Sequence, residues 1–188
     1  REVIEFPNEN LFVKLNGSVR GQDVYVIQTT SSPVHRNLME LLIMIQTLKL
    51  DSAVRITAVV PYLCYGRSDK KDAPRISITA RLVADLLRTS GATHVMSMMF
   101  HSPQVHGFFR VPTDPLSSRP VFQQYLENRD MSGMIIVSPD MGQAKSAARF
   151  AKSLSLPVAA GNKERVSDTE VRISGLVGNQ VKGHKRAL

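Results

Sequence analysis

Short apolar segments with strand character alternate with helical segments along this chain, and that alternation restricts its fold more than any other feature. "VRITAVV" from Val54 clusters β-branched residues as a buried strand does. After an intervening charged stretch, "ISITARLVADLLRTSG" carries Ile78, Leu82, Ala84, Asp85 and Leu86 in helical rhythm and closes on Gly91. Upstream, "EVIEF" and "NLFVKL" read as strands around a turn at Pro7–Asn8, and "DVYVIQT" as a third strand. "SSPVHRNLMELLIMIQTLKL" predicts a helix with Ser32 as cap, Pro33 in the first turn, and Leu38, Leu41, Leu42, Ile45 and Leu48 on its buried face. "THVMSMMF" predicts the next strand, and "GFFRV" a short one before the proline-rich turn "PTDPLSSRP". The pattern then repeats: helix "PVFQQYLEN", strand "GMIIVS", turn "PDMG", helix "QAKSAARFAKSL", strand "LPVAAG". Such a succession implies an α/β fold whose mainly parallel sheets are covered on both faces by helices. The break near Ser118 divides the chain into residues 1–118 and 119–188.

The 188 residues are enough for one large or two small domains with a real core. No apolar run approaches the roughly 18 to 20 residues of a spanning helix, and Glu40 interrupts the greasiest piece, "LMELLIMI". Arg1 leads straight into a strand-like segment with no signal-peptide pattern, and the lone Cys64 suits a reducing compartment, so a cytoplasmic protein without membrane contact is expected. The net charge of +8 favours anionic partners. With 6% aromatics, no tryptophan and only the C-terminal "VKGHKRAL" clustered, nucleotides or sugar phosphates fit better than nucleic acid.

Ligands of open α/β sheets bind beyond the carboxyl ends of the strands. "YLCYGRSDKKDAPR", "HSPQVHG", "SPDMG" and "GNKER" each follow an apolar strand, which places four polar loops where one site would form. Each has a plainer reading alone: a solvated turn with local ion pairs, a surface histidine at His101, a helix cap at Asp140, a basic turn at Lys163 and Arg165. Together they make one chemistry, with arginine and lysine for phosphate and His and Asp for a hard cation carrying it. Lys163 and Arg165 lie two apart, so in an extended segment both point the same way.

The run "FHSPQVHGFFRVPTD", Phe100 to Asp114, resembles the central motif of the ribose-phosphate pyrophosphokinases. The resemblance is collinear with "FPNEN", "SVRGQDVYVIQTTSSPVHRNLMELLIMI", "YGRSDKKDAPRISITARLVADLL", "VSPDMG" and "NKER". It implies two phosphoribosyltransferase-type domains, the second incomplete over these residues. The implied reaction moves the β,γ-diphosphoryl group of Mg-ATP to the C1 hydroxyl of ribose 5-phosphate, giving phosphoribosyl diphosphate and AMP. By the same resemblance, Arg67 and Ser68 hold ATP, while Phe6, Asn8 and Asn10 reach ATP from a neighbouring subunit. Asp72 and Arg75 fall in a mobile loop that closes over the nucleotide. His101 and Asp140 stand at magnesium-associated positions, and Lys163 at the catalytic lysine with Arg165 beside it. A homo-oligomer of dimers forming a hexamer is implied as well, with effector sites at its interfaces.

The chain also departs from the family pattern. Met99 stands where an aspartate is usual, Arg110 where an acidic residue is common, Asn8 and Asn10 where carboxylates are usual, and Ser68 where a glutamine is. Family members normally begin with a further strand and helix and continue into a loop that binds the sugar phosphate. The expectation is therefore a fragment of a longer enzyme. The alternative is a non-catalytic relative that binds nucleotide or assembles with active subunits.

Overall fold

The computed structural model describes residues 2–165, 171–178 and 181–188, and at 163–165 and 171–174 the backbone alone. The chain forms two compact units, one ending at Ser117 and the other starting at Ser118.

The first unit opens with a hairpin, β1 (Glu2–Glu5) and β2 (Leu11–Lys14), paired antiparallel. Then follow β3 (Asp23–Ile27), α1 (Val34–Leu50), β4 (Arg55–Val60), α2 (Thr79–Ser90), β5 (His94–Met98) and β6 (Thr113–Leu116). Strands β3 to β6 form a wholly parallel sheet in that order. Each crossover steps the same way, and right-handed connections then put α1 and α2 on one face. Val26, Ala58, Val60 and Val95 are buried on that side with Leu41, Ile45 and Leu48 of α1 and Val83 and Leu87 of α2. Each such valine, leucine or isoleucine contributes about 1.5–3 kcal/mol of burial. On the opposite face Tyr25 and Ile27 are 64% and 68% exposed. In this unit the expectation of helices on both faces holds for one face only.

Local chemistry shifts several boundaries. Pro33, not Ser32, is the N-terminal boundary residue of α1, and no side chain caps it. The segment is tied instead by Asn37, whose Nδ2 donates to the Ser31 carbonyl at 2.8 Å. Glu40 is buried on α1 because Arg36 donates to it at 2.9 Å, and the same guanidinium donates to Glu5 at 2.7 Å, fastening the hairpin to the helix. In α2 the buried positions are Ala80, Val83, Ala84 and Leu87, while Leu82 faces solvent. Small alanines let this helix approach its neighbours closely, so large apolar residues are a poor guide to its inner face. Gly91 ends α2 at φ 123°, and a Cβ there would lie 2.6 Å from Lys49 Cδ.

"GFFRV" is not a strand. Residues Pro103–Phe108 form a 3-10 helix, and Phe100 stacks on Phe109 with centroids 5.6 Å apart. The strand lies in "TDPL" instead, at the sheet edge. The N–H groups of Val95 and Met99 donate to the carbonyls of Pro112 and Leu116. Even-numbered residues of β6 therefore bond to β5, and the missing N–H of Pro115 falls on the outer side, where an edge strand tolerates it.

The second unit contains α3 (Arg119–Glu127), β7 (Met134–Ser138), α4 (Ala144–Ser153), β8 (Val158–Arg165), β9 (Val171–Gly178) and β10 (Arg186–Ala187). Its sheet runs β10-β7-β8-β9, parallel except for β9, which pairs antiparallel with β8. "GNKER" is therefore not a loop: β8 continues through it, with a register irregularity at Asn162/Lys163. Among the described residues no helix is long and apolar enough to cross a membrane.

The loops after β3 and β4 share a buried threonine. The Thr30 hydroxyl donates to the Tyr62 carbonyl at 2.6 Å and accepts the Cys64 N–H at 2.8 Å, with Thr30 itself fully buried. Burial pushes the Cys64 thiol up, opposed in part by its hydrogen bond to Thr30. Thr30→Val strands buried polar groups and should lower the unfolding free energy by about 2 kcal/mol. The check is a lower urea midpoint with an unchanged m value.

Candidate functional site

Three consecutive features shape the chain that leaves β4. Tyr65 turns left-handed at φ 57°, its hydroxyl hydrogen-bonded to His35 Nε2 at 2.8 Å and the two rings stacked 6.4 Å apart. Gly66 stands beside the next loop, where a Cβ on it would make ordinary van der Waals contact with His101 Cβ at 3.8 Å. Ser68 then closes a loop on itself. Its hydroxyl accepts the Thr79 N–H at 3.1 Å and donates to the Ser77 carbonyl at 3.2 Å, while its own carbonyl accepts the Ala80 N–H at 3.1 Å. Because Ile78 makes no side-chain cap, Ser68 supplies from a distance an acceptor that α2 lacks.

Asp69 comes next and is buried, 6% exposed. Its Oδ2 accepts from Ser102 Oγ at 2.5 Å, and its carbonyl accepts from Gln104 Nε2 at 3.2 Å. The Ser102 hydrogen bond holds the Asp69 carboxylate below the usual carboxylate range, against the opposing push of burial, and His101 adds a small attraction. Residues 70–76 are all exposed, and Arg75 is left-handed at φ 62°.

From β5 the chain turns left-handed at Met99, φ 54°. A side chain of that kind in this region costs on the order of 1–3 kcal/mol. Tyr62, Gly66, Arg67, Met99, Phe100 and His101 line a pocket of about 210 Å³ beyond the carboxyl ends of β4 and β5. Arg67 and His101 therefore meet in one cavity, both with exposed side chains.

The other predicted residues of this unit lie elsewhere. Phe6, Asn8 and Asn10 form the tip of the β1–β2 hairpin, with Phe6 N–H bonded to the Asn10 carbonyl and Asn8 Oδ1 accepting the Asn10 N–H at 3.2 Å. Phe6 is exposed and packs on Phe12 at 6.5 Å, while Asn10 lines a separate cleft of about 460 Å³ with Glu9, His35 and Arg36. Ser68 is turned toward α2, and Asp72 and Arg75 stand on the exposed loop.

In the second unit Asp140 caps the 3-10 turn Met141–Gln143, its Oδ1 accepting the Gln143 N–H at 3.1 Å. The Ser138 hydroxyl donates to the Asp140 carbonyl at 2.7 Å. β8 runs hard against this turn: a Cβ at Gly161 would lie 2.8 Å from the Pro139 carbonyl oxygen, so glycine is required there. The backbone of Lys163 and Arg165 continues β8 opposite Ile173 and Val171, and the two side chains lie outside the described part of the structure. Among the described residues no three His, Cys, Asp or Glu side chains gather as a metal site.

Charge type and strand-end position pointed to Arg67 and His101, which share the pocket, and to Asp140, which caps a turn in the second unit. Asp69, Ser102 and Thr30 gave no such signal, because a carboxylate among cations reads as solvated and small hydroxyls read as loop.

A parallel sheet whose strand-end loops carry the polar groups places this unit among the ligand-binding α/β folds. Residues 1–91 match the family model for the N-terminal domain of ribose phosphate pyrophosphokinase. A ribose-phosphate pyrophosphokinase of Deinococcus radiodurans is 49% identical over 93% of this chain and 55% of its own length. That of Bacillus subtilis is 41% identical over 94% of this chain and 56% of its own. The crystal structure of phosphoribosylpyrophosphate synthetase from Mycobacterium smegmatis superposes with a TM-score of 0.83, at 41% identity, over 93% of this chain and 58% of that one. The chain belongs to the ribose-phosphate pyrophosphokinase family and spans between half and two thirds of the length of these relatives.

The depressed Asp69 value has a direct consequence. Its stabilisation is fully present above the ordinary carboxylate pKa, about 3.9, and is lost as pH falls through the lower folded value. Ser102→Ala should thus be less stable than the parent at neutral pH, with the difference narrowing below roughly pH 4. Urea unfolding at a series of pH values measures it.

Proposed function

We propose that this protein transfers the β,γ-diphosphoryl group of ATP to the C1 hydroxyl of ribose 5-phosphate, as part of nucleotide biosynthesis in the cytoplasm. The observation that carries the reading is the pocket joining Arg67 and His101 at the carboxyl ends of two adjacent parallel strands. Relatives named for this activity support it at 41–49% identity.

In the transfer the sugar O1 gives up its proton to solvent and bonds the β-phosphorus, while the bridging oxygen leaves with its electron pair on AMP. Little covalent work falls to the protein, so its residues position the reactants and offset spreading negative charge. Arg67 presents a rigid fork suited to two phosphate oxygens, and Lys163 a compact charge with Arg165 on the same strand. Phe6, Asn8 and Asn10, on a hairpin tip apart from the Arg67 pocket, suit a contact to nucleotide in a neighbouring subunit of a hexamer built from dimers. The exposed segment holding Asp72 and Arg75 suits a lid.

The donors present fit a magnesium ion carried by the nucleotide. Magnesium takes one or two carboxylates plus phosphate oxygens and keeps several waters. Asp140 has one carboxylate oxygen engaged by the Gln143 N–H and a second to offer. His101, a nitrogen donor, suits contact through water or phosphate better than direct ligation. The ion would supply charge neutralisation on the transferring phosphates.

The test is formation of AMP and phosphoribosyl diphosphate from Mg-ATP and ribose 5-phosphate by the intact protein. Lys163→Ala should lower turnover by roughly a hundredfold or more. No product from the folded, ATP-binding parent protein would overturn the reading in favour of a regulatory subunit.

A further inference from the structure

The loops after β4 and β5 are joined by one buried carboxylate, and we propose that Asp69, held by Ser102, is a positioning residue that sets Arg67 against His101 for the phosphates of an anionic ligand. The identity of that ligand as ATP rests on the function proposed above.

The two loops leave adjacent parallel strands, with Val60 opposite Ser97. The sheet therefore fixes where they begin, at a strand spacing of about 4.8 Å. Beyond that point the ladder between the two strands ends. Arg67 and His101 are both exposed, so packing does not hold their side chains in place. The sequence supplies a substitute. Asp69 follows Arg67 by two residues, and Ser102 follows His101 by one, so the 2.5 Å hydrogen bond between them fixes the two functional positions relative to each other.

Gln104 reinforces the tie by donating to the Asp69 carbonyl, and Gly66 leaves room beside His101 on the other side. The Asp69 side chain is buried beside the cavity and does not line it, so it acts through its neighbours. An apolar contact would bring the loops together without fixing their register. A charged acceptor facing a single hydroxyl is directional and stronger than a neutral pair. Removing the hydroxyl leaves a buried carboxylate short of its main partner, which favours separation of the loops.

The experiment compares Ser102→Ala, Ser102→Thr and the parent in the intact protein, with two readouts. The first is amide hydrogen exchange without ligand. In Ser102→Ala, residues 66–69 should lose protection together with 101–104, although only one loop was altered, and Ser102→Thr should restore both. Unchanged exchange at 66–69 overturns the coupling. The second is Mg-ATP affinity by calorimetry together with the KM and kcat of the proposed reaction. Ser102→Ala should bind Mg-ATP roughly tenfold more weakly and turn over roughly tenfold more slowly, a scale typical of small misplacements around reacting groups. Ser102→Thr should stay within about twofold of the parent, since its hydroxyl keeps the hydrogen bond. Coupled exchange with nucleotide binding and turnover unchanged overturns the positioning role. A parent protein that neither binds Mg-ATP nor forms product overturns the proposed function, and the exchange data then decide the loop coupling by themselves.

Discussion

The fully buried hydroxyl of Thr30 is the fixed point from which the first unit's site is built. It satisfies a carbonyl and an N–H of the loop after β4 from the loop after β3. Buried backbone groups without partners are costly, so this arrangement leaves the segment Tyr62–Cys64 one conformation. Everything downstream inherits that start. Tyr65 enters the left-handed region braced on His35, Arg67 emerges into the pocket, and Ser68 and Asp69 tie the chain to α2 and to the His101 loop. Only after these four anchors does the chain run free into solvent, at residues 70–76. The loop is thus divided between a hydrogen-bonded root and an exposed tip.

Backbone strain falls on both loops that border the pocket. Tyr65 and Met99, both bulky, are left-handed on the two loops that meet there. Such conformations persist where surroundings over-determine them. Here the surroundings are visible: the His35 pair on one loop, and on the other the N–H of Met99 paired with the Leu116 carbonyl of the edge strand. The aspartate usual at the Met99 position would sit in this backbone region more easily, since Asp and Asn tolerate it better than long apolar side chains. The departure seen in the sequence is thus also a conformational one.

What could be read in advance follows from how local the deciding physics is. Helix α1 and strand β4 announce themselves because Leu38, Leu41, Ile45 and Leu48, and the β-branched run around Ile56, carry their burial in their own spacing. The inner face of α2 is hidden because Ala80 and Ala84 carry no size signal. β6 is masked by Pro115, whose place is acceptable only once the edge position is known. The extension of β8 through "GNKER" depends on a partner strand, β9, that charge content does not suggest. At the first unit's pocket, charge type and strand-end position pointed to Arg67 and His101. Asp69 escaped because its burial depends on Ser102, which is 33 residues away.

Pro115 carries a further consequence, for how this protein behaves among copies of itself. A parallel sheet offers two rims where a stray strand could dock, and this one is asymmetric. The rim at β6 lacks one outward donor, and β6 is only four residues long, so an incoming chain finds a broken template. The rim at β3 has no such interruption, and beside it Tyr25 and Ile27 stand largely uncovered. The two rims of the first unit therefore offer an incoming strand unequal templates, the one at β6 interrupted by the missing proton of a single residue and the one at β3 continuous.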